Sequence, residues 1–96
     1  MKGLLIHFDV IDGKQKEFEA ATHELVSRVR KSDPSYQLYS LARLRDSTTR
    51  YVLVQRFESY ETQLAHQAYP YVLEAMAPMQ PLMAGPPTVQ FLDIID

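Results

Sequence analysis

The stretch Tyr51 to Val72, YVLVQRFESYETQLAHQAYPYV, constrains this chain more than any other. It opens on a run of β-branched and aromatic residues, Tyr51 to Val54, which predicts a buried strand, and the charged break Arg56 to Glu58 ends it. Ser59 can accept a hydrogen bond from a free backbone N–H of the next turn, and Glu61 adds negative charge near the positive helix end, so a helix opens here. That helix must be short. Pro70 lacks an N–H and disfavours helical geometry at Tyr69, which predicts a stop near Ala68 and a second segment with Pro70 in its first turn. His66 then lies at the end of a broken helix beside a run of tyrosines, and a reactive site is expected there first.

The chain has 96 residues and no linker-like tract, which predicts a single domain over residues 1–96. A domain this small leaves much of its surface exposed, so self-association is a ready way to hide apolar area. The net charge is -2, with no basic stripe interleaved with aromatics, which argues against a nucleic-acid partner. The apolar runs are too short to span a membrane. Without cysteine there is no disulfide framework, iron–sulfur cluster or thiol nucleophile, and no basic region precedes a long apolar segment near Met1, so a cytoplasmic protein is expected.

In chain order, Leu4 to Ile11 reads as the first strand. Asp12 and Gly13 form a turn, with Asp12 and Gln15 spaced as a capping pair for a helix from about Lys14 to Lys31. Phe18, Ala21, Thr22, Leu25 and Val29 fall on one face of that helix, and Ser32-Asp33-Pro34 stops it. Tyr36 to Leu44 is the second strand, Arg45 to Thr49 a polar turn, and Tyr51 to Phe57 the third strand at hairpin distance. After the broken helix, Val72, Leu73, Met76, Met79 and Met83 keep a helical stripe that Pro78 and Pro81 must kink or end. Gly85-Pro86-Pro87 turns the chain into a fourth strand, Thr88 to Ile95. The order βαββαβ predicts an α+β fold whose helices cover one face of a four-stranded antiparallel sheet.

That order leaves a second face that should be polar. Strand three instead carries Val52 and Val54 on one side and Leu53 and Phe57 on the other, and strands one and four read likewise. The simplest cover for an apolar second face is the same sheet from another copy, so a homodimer packed sheet on sheet is expected.

The strand, Gly13, the amphipathic helix, Asp33-Pro34, the Tyr39 strand, the block YVLVQRFES, His66, Pro70 and the ending AGPPTVQFLDII together resemble the antibiotic biosynthesis monooxygenase family, from about Leu4 to Ile95. The resemblance implies a ferredoxin-like subunit forming a dimeric α/β barrel. It also implies activities that include cofactor-independent oxidation of quinols and anthrones, haem degradation and small-molecule isomerisation. Where many members carry Tyr-Glu-Arg-Trp on strand three, this chain has Val54, Gln55, Arg56 and Phe57, and Tyr71 replaces a second histidine. At the Asn, Trp and iron-ligating His positions of the haem-degrading branch stand Ile6, His66 and Met76, which disfavours haem chemistry.

His66 is the candidate general base, because a neutral imidazole can take a proton from a phenol or hydroquinone near pH 7. Tyr39 matches a family tyrosine and, like Tyr69 and Tyr71, could donate a hydrogen bond to a bound oxyanion. Arg56 could steady an anionic intermediate, Phe57 stands at the family's indole position, and Met76, Met79 and Met83, with Leu73 and Leu82, could line a pliable pocket for a flat aromatic ligand. His7 should face the dimer partner and His23 the solvent. No histidine pair has metal-ligand spacing and no glycine-rich phosphate loop is present, so neither metal nor cofactor is expected. The leading expectation is a cofactor-independent monooxygenase acting on a small hydroxylated aromatic. A non-catalytic dimeric binding or sensing protein and an isomerase of a small oxygenated metabolite are the alternatives, and oxygen consumption separates them.

Overall fold

Alternation along the third strand sets the layers. The computed structural model describes residues 1–96, and its strands β1 (Lys2–Asp9), β2 (Tyr36–Arg43), β3 (Arg50–Phe57) and β4 (Thr88–Asp93) form one antiparallel sheet in the order β2-β3-β1-β4. Tyr51, Leu53, Gln55 and Phe57 of β3 are buried, while Val52, Val54 and Arg56 between them stay partly exposed, so the helices cover one face only. The covering layer is α1 (Gln15–Ser32), α2 (Tyr60–Gln67), α3 (Pro70–Met76) and a 3-10 segment, Ala77–Leu82. The result is an α+β, ferredoxin-like βαββαβ domain.

The predicted break is present in detail. Ser59 is extended and its Oγ accepts from the Thr62 N–H at 3.3 Å. At the other end of α2 the N–H groups of Ala68 and Tyr69 donate to the carbonyls of Ala65 and His66, each at 3.1 Å. Tyr69 is extended and Pro70 begins α3. The stripe predicted to continue to Met83 stays α-helical only to Met76. Pro78 and Pro81 remove donors from the next turns, and the chain tightens into the 3-10 segment.

Helix α1 buries Phe18, Thr22, Leu25, Val26 and Val29, with Ala21 packed at the edge of the core. Phe18 sits between Phe8 and Tyr51, at ring separations of 5.3 and 5.1 Å. The capping role expected of Asp12 does not form. The residue at the helix start is Lys14, without a side-chain cap, and Gln15 instead ties the turn together. Its amide donates to Asp12 Oδ1 at 2.9 Å and its Oε1 accepts from the Gly13 N–H at 2.7 Å, with Gly13 at φ 94, a left-handed conformation that glycine adopts without a Cβ clash.

Strand boundaries also move. β1 begins at Lys2 and ends at Asp9 rather than spanning Leu4 to Ile11. Beyond Asp9 the Val10 N–H still donates to the Thr49 carbonyl at 2.9 Å, but on its other side the chain turns to the end of the 3-10 segment: Val10 bridges to Met83, and the Ile11 N–H donates to the Leu82 carbonyl at 2.9 Å. β4 ends at Asp93, opposite Lys2, and one further hydrogen bond follows, from the Ile94 N–H to the Met1 carbonyl at 3.0 Å.

The open face is mixed rather than uniformly apolar. Its central cross-strand row is Ser40, Val54, Leu5 and Gln90, flanked by Ala42, Val52, His7 and Thr88 on one side and Leu38, Arg56, Gly3 and Leu92 on the other. His7 lies on this face, bonded through Nε2 to Gln90 Oε1 at 2.7 Å. The expectation for β4 changes most. Thr88 and Gln90 make its open side partly polar, while Val89 and Phe91 on the helix side remain 48% and 60% exposed. The second helical stretch, split into two short pieces, meets this edge strand through Tyr60, whose ring packs on Phe91 at 5.3 Å and whose hydroxyl donates to the Leu92 carbonyl at 3.0 Å.

Candidate active site

The helix break delivers His66 into the interior. It is 3% exposed, and its two ring nitrogens face different partners: Nδ1 lies 3.2 Å from Asp33 Oδ2 and Nε2 lies 3.4 Å from the Tyr39 hydroxyl. Asp33 follows the last residue of α1 and is itself buried. Its Oδ1 accepts from both the backbone N–H and the hydroxyl of Ser35, a local turn that aims Oδ2 at the imidazole. Tyr39 comes from β2, and its carbonyl accepts from Arg30 Nε at 3.0 Å, which pins the strand to α1. Three elements therefore converge on one imidazole.

Protonation follows from these contacts. Burial pulls the His66 pKa below its ordinary 6.5; the hydrogen bond and charge of Asp33 push the other way and do not overcome it. The ring is neutral at pH 7. A carboxylate only accepts, so Nδ1 carries the proton and donates to Asp33, leaving the Nε2 lone pair to accept from the Tyr39 O–H. Burial, with the nearby Tyr71 and Asp33, raises the Tyr39 pKa, so its hydroxyl stays protonated and serves as a donor. Carbonyls freed at the end of α2 would favour the imidazolium, and desolvation outweighs them.

A stability test comes with this shift. The unfolded imidazole protonates near 6.5 and the folded one only at lower pH. Acidification through that window therefore loads protons onto the unfolded chain first, and stability falls until the folded imidazole also protonates. Urea unfolding from pH 7.5 to 5 should show this loss, and His66→Gln should remove its share of the slope. An unchanged slope in the variant would contradict the desolvated neutral ring.

His66 and Tyr39 border a pocket of about 260 Å³ between the helices and the sheet. Its wall is mainly apolar, with Ile6, Phe8, Leu53, Val72, Leu73, Met76 and Met79, and its remaining polar members are the amides of Gln55, Gln63 and Gln67. Met76, Met79 and Leu73 line this pocket, whereas Leu82 and Met83, expected beside them, do not. Tyr69 and Tyr71 gather near His66, at ring separations of 6.1 and 6.4 Å, but stack on one another and do not line the pocket; Arg28 lies over the Tyr71 ring at 5.9 Å. Phe57 is fully buried against Tyr36 and Tyr60, away from the pocket wall. Arg56 sits on the opposite face of the sheet from His66, because β3 alternates and Gln55 holds the inward position. No three His, Asp or Glu side chains converge as a metal site.

Two participants were not legible as such. Asp33 looked like a helix stop, and no sequence rule pairs it with a histidine 33 residues away. Tyr36, with its ring 4.6 Å from the imidazole, looked like the ordinary start of a strand.

The family model for antibiotic biosynthesis monooxygenases matches residues 1–78. The chain belongs to that family. Its backbone is similar to a crystal structure of a candidate antibiotic biosynthesis monooxygenase from Caulobacter crescentus, with 27% identity, 99% of this chain and 90% of that one covered, and a TM-score of 0.93. A candidate antibiotic biosynthesis monooxygenase from Nitrosomonas europaea shares the fold over 100% of both chains at 20% identity and a TM-score of 0.91. So does a conserved protein from Methanosarcina mazei, at 9% identity, 95% and 89% coverage and a TM-score of 0.88. No curated protein matches the sequence. The β-α-β-β core and the broken helix of this monooxygenase-family chain, with Asp33, Tyr39 and His66, all lie within the matched residues.

Proposed function

We propose that this protein is a cofactor-independent monooxygenase that oxidises a small hydroxylated aromatic with molecular oxygen, working as a homodimer packed through its open sheet face. The observation that carries the reading is the chain Asp33–His66–Tyr39 ending at an apolar pocket. A phenolic hydroxyl entering the pocket displaces the Tyr39 hydroxyl from Nε2 and gives its proton to that nitrogen. The imidazolium so formed keeps its Nδ1–H on Asp33, whose negative charge offsets the new positive one. Tyr39, released, donates to the substrate oxyanion.

The arenolate in a dry pocket is electron-rich enough to reduce oxygen. One electron passes to O2, superoxide recombines at a ring carbon, and the resulting hydroperoxide loses water, leaving one oxygen atom as a new carbonyl. A hydroquinone thus consumes one O2 and yields a hydroxyquinone and one water. The test is oxygen uptake by the purified protein against hydroquinones, naphthols and anthrones, with isotopic oxygen to follow the atom. Uptake with one labelled atom per product is expected for at least one substrate. A protein that binds these compounds without uptake is a binding protein.

A further inference from the structure

Two amides stand in the pocket wall, and one of them carries a buried oxygen without a partner in the protein. Gln55 is 4% exposed and its Oε1 makes no hydrogen bond. Gln63 is 2% exposed and lies in the same wall. Burying an amide without a partner is unfavourable, and a ligand that supplies the partner recovers that loss on binding. A hydroxyl suits both groups, since it donates to an amide oxygen and accepts from an amide N–H. A carboxylate does not. It can only accept, the pocket wall holds no Lys or Arg to balance it, and Asp33 lies behind the imidazole.

The spacing narrows the ligand further. Gln55 stands directly opposite Tyr39 on the neighbouring strand, and Gln63 precedes His66 by three residues on α2. Cross-strand partners on one sheet face and i, i+3 partners on one helix face are each about 5 Å apart. Each amide is therefore displaced by about one residue step from one member of the pair that takes the reacting hydroxyl. That step matches hydroxyls set 1,3 or 1,4 on one aromatic ring; adjacent hydroxyls lie too close together. The pocket volume of about 260 Å³ falls below the usual range for drug-sized ligands, about 300 Å³ upward, and limits the scaffold to one or two rings.

We propose that Gln55 and Gln63 form a second polar subsite that reads a neutral hydroxyl, so that the pocket selects one- or two-ring aromatics with 1,3- or 1,4-hydroxyls. The assignment rests on His66 and Tyr39 taking the first hydroxyl. It is tested by anaerobic calorimetry with naphthalene-1,3-diol, naphthalene-1,2-diol and 1-naphthol. The wild type should bind the 1,3-diol about tenfold more tightly than 1-naphthol, with the 1,2-diol no better than 1-naphthol. Gln55→Leu and Gln63→Leu should each shrink that preference to about twofold or less while leaving 1-naphthol affinity within about threefold. Circular dichroism checks each fold, and if one variant does not fold the other carries the test. Equal affinities in the wild type, no binding of any probe, or a preference intact in a folded variant overturns the subsite. With oxygen absent the result is independent of turnover. Discrimination without oxygen uptake would sink the oxygenase reading and keep the subsite, whereas uptake without discrimination would do the reverse.

Discussion

Replacing His66 by alanine should lower turnover on an identified substrate by about two to four orders of magnitude, the usual contribution of a positioned general base. The expectation follows from an imidazole held by two different partners, with a lone pair on the nitrogen that faces Tyr39, a second residue of the pocket wall. The loss should fall on kcat more than on KM, because proton transfer stabilises the transition state and adds little to ground-state binding. Activity in the wild type should rise through one ionisation below the ordinary imidazole pKa of 6.5, since burial holds His66 neutral, and that limb should disappear in the variant.

Removing a buried ring also leaves a cavity between Tyr36 and Tyr39, so the measurement needs a folding control. His66→Gln fills most of the space and keeps a polar contact to Asp33, but cannot act as a base near neutral pH. Loss of activity in both variants, with the glutamine form retaining its melting temperature, separates catalysis from packing. A folded variant with full oxygen uptake would exclude His66 as the base. One that loses activity only by unfolding would return the residue to a structural role.

How far the sequence could be read depended on how local each determinant is. The broken helix was legible because its causes act within a few residues: the Ser59 hydroxyl caps one end, and Pro70 restricts Tyr69 at the other. The parity of β3 was legible for the same reason, and it fixes Gln55 inward and Arg56 outward once the helix layer is placed. Arg56 carries a charge that suits a substrate contact, but the same parity places it on the open face. Asp33 and Tyr39 meet His66 only through the tertiary arrangement of α1, β2 and α2, and short-range patterns carry no information about such contacts. The balance between burial and the Asp33 charge was likewise invisible, because desolvation depends on what the whole fold places around the ring.

The second large effect is expected at the open sheet face. Val54 occupies the centre of that face, in one cross-strand row with Leu5, Ser40 and Gln90, and Val52 and Leu92 extend the apolar surface around it. In an isolated subunit these side chains remain partly exposed, a poor arrangement for a domain with so small a core. If two copies pack through this face, the two-fold axis presents the Val54 region of one to the same region of its partner. Val54→Asp would then bury two like charges at the centre of the interface, one cross-strand row away from Arg56, and desolvating them there is strongly unfavourable. On a monomer the same change would fall at a half-exposed strand position and alter stability by only about 1 kcal/mol. Sedimentation of the wild type should therefore give twice the chain mass down to the lowest accessible concentration, and the variant should lose both the dimer and its cooperative unfolding transition. A wild type that sediments as a folded monomer at micromolar concentration would end the sheet-on-sheet proposal. So would a Val54→Asp protein with unchanged mass and melting temperature, and either result would leave the Asp33–His66–Tyr39 site, on the other face of the sheet, to be judged on its own chemistry.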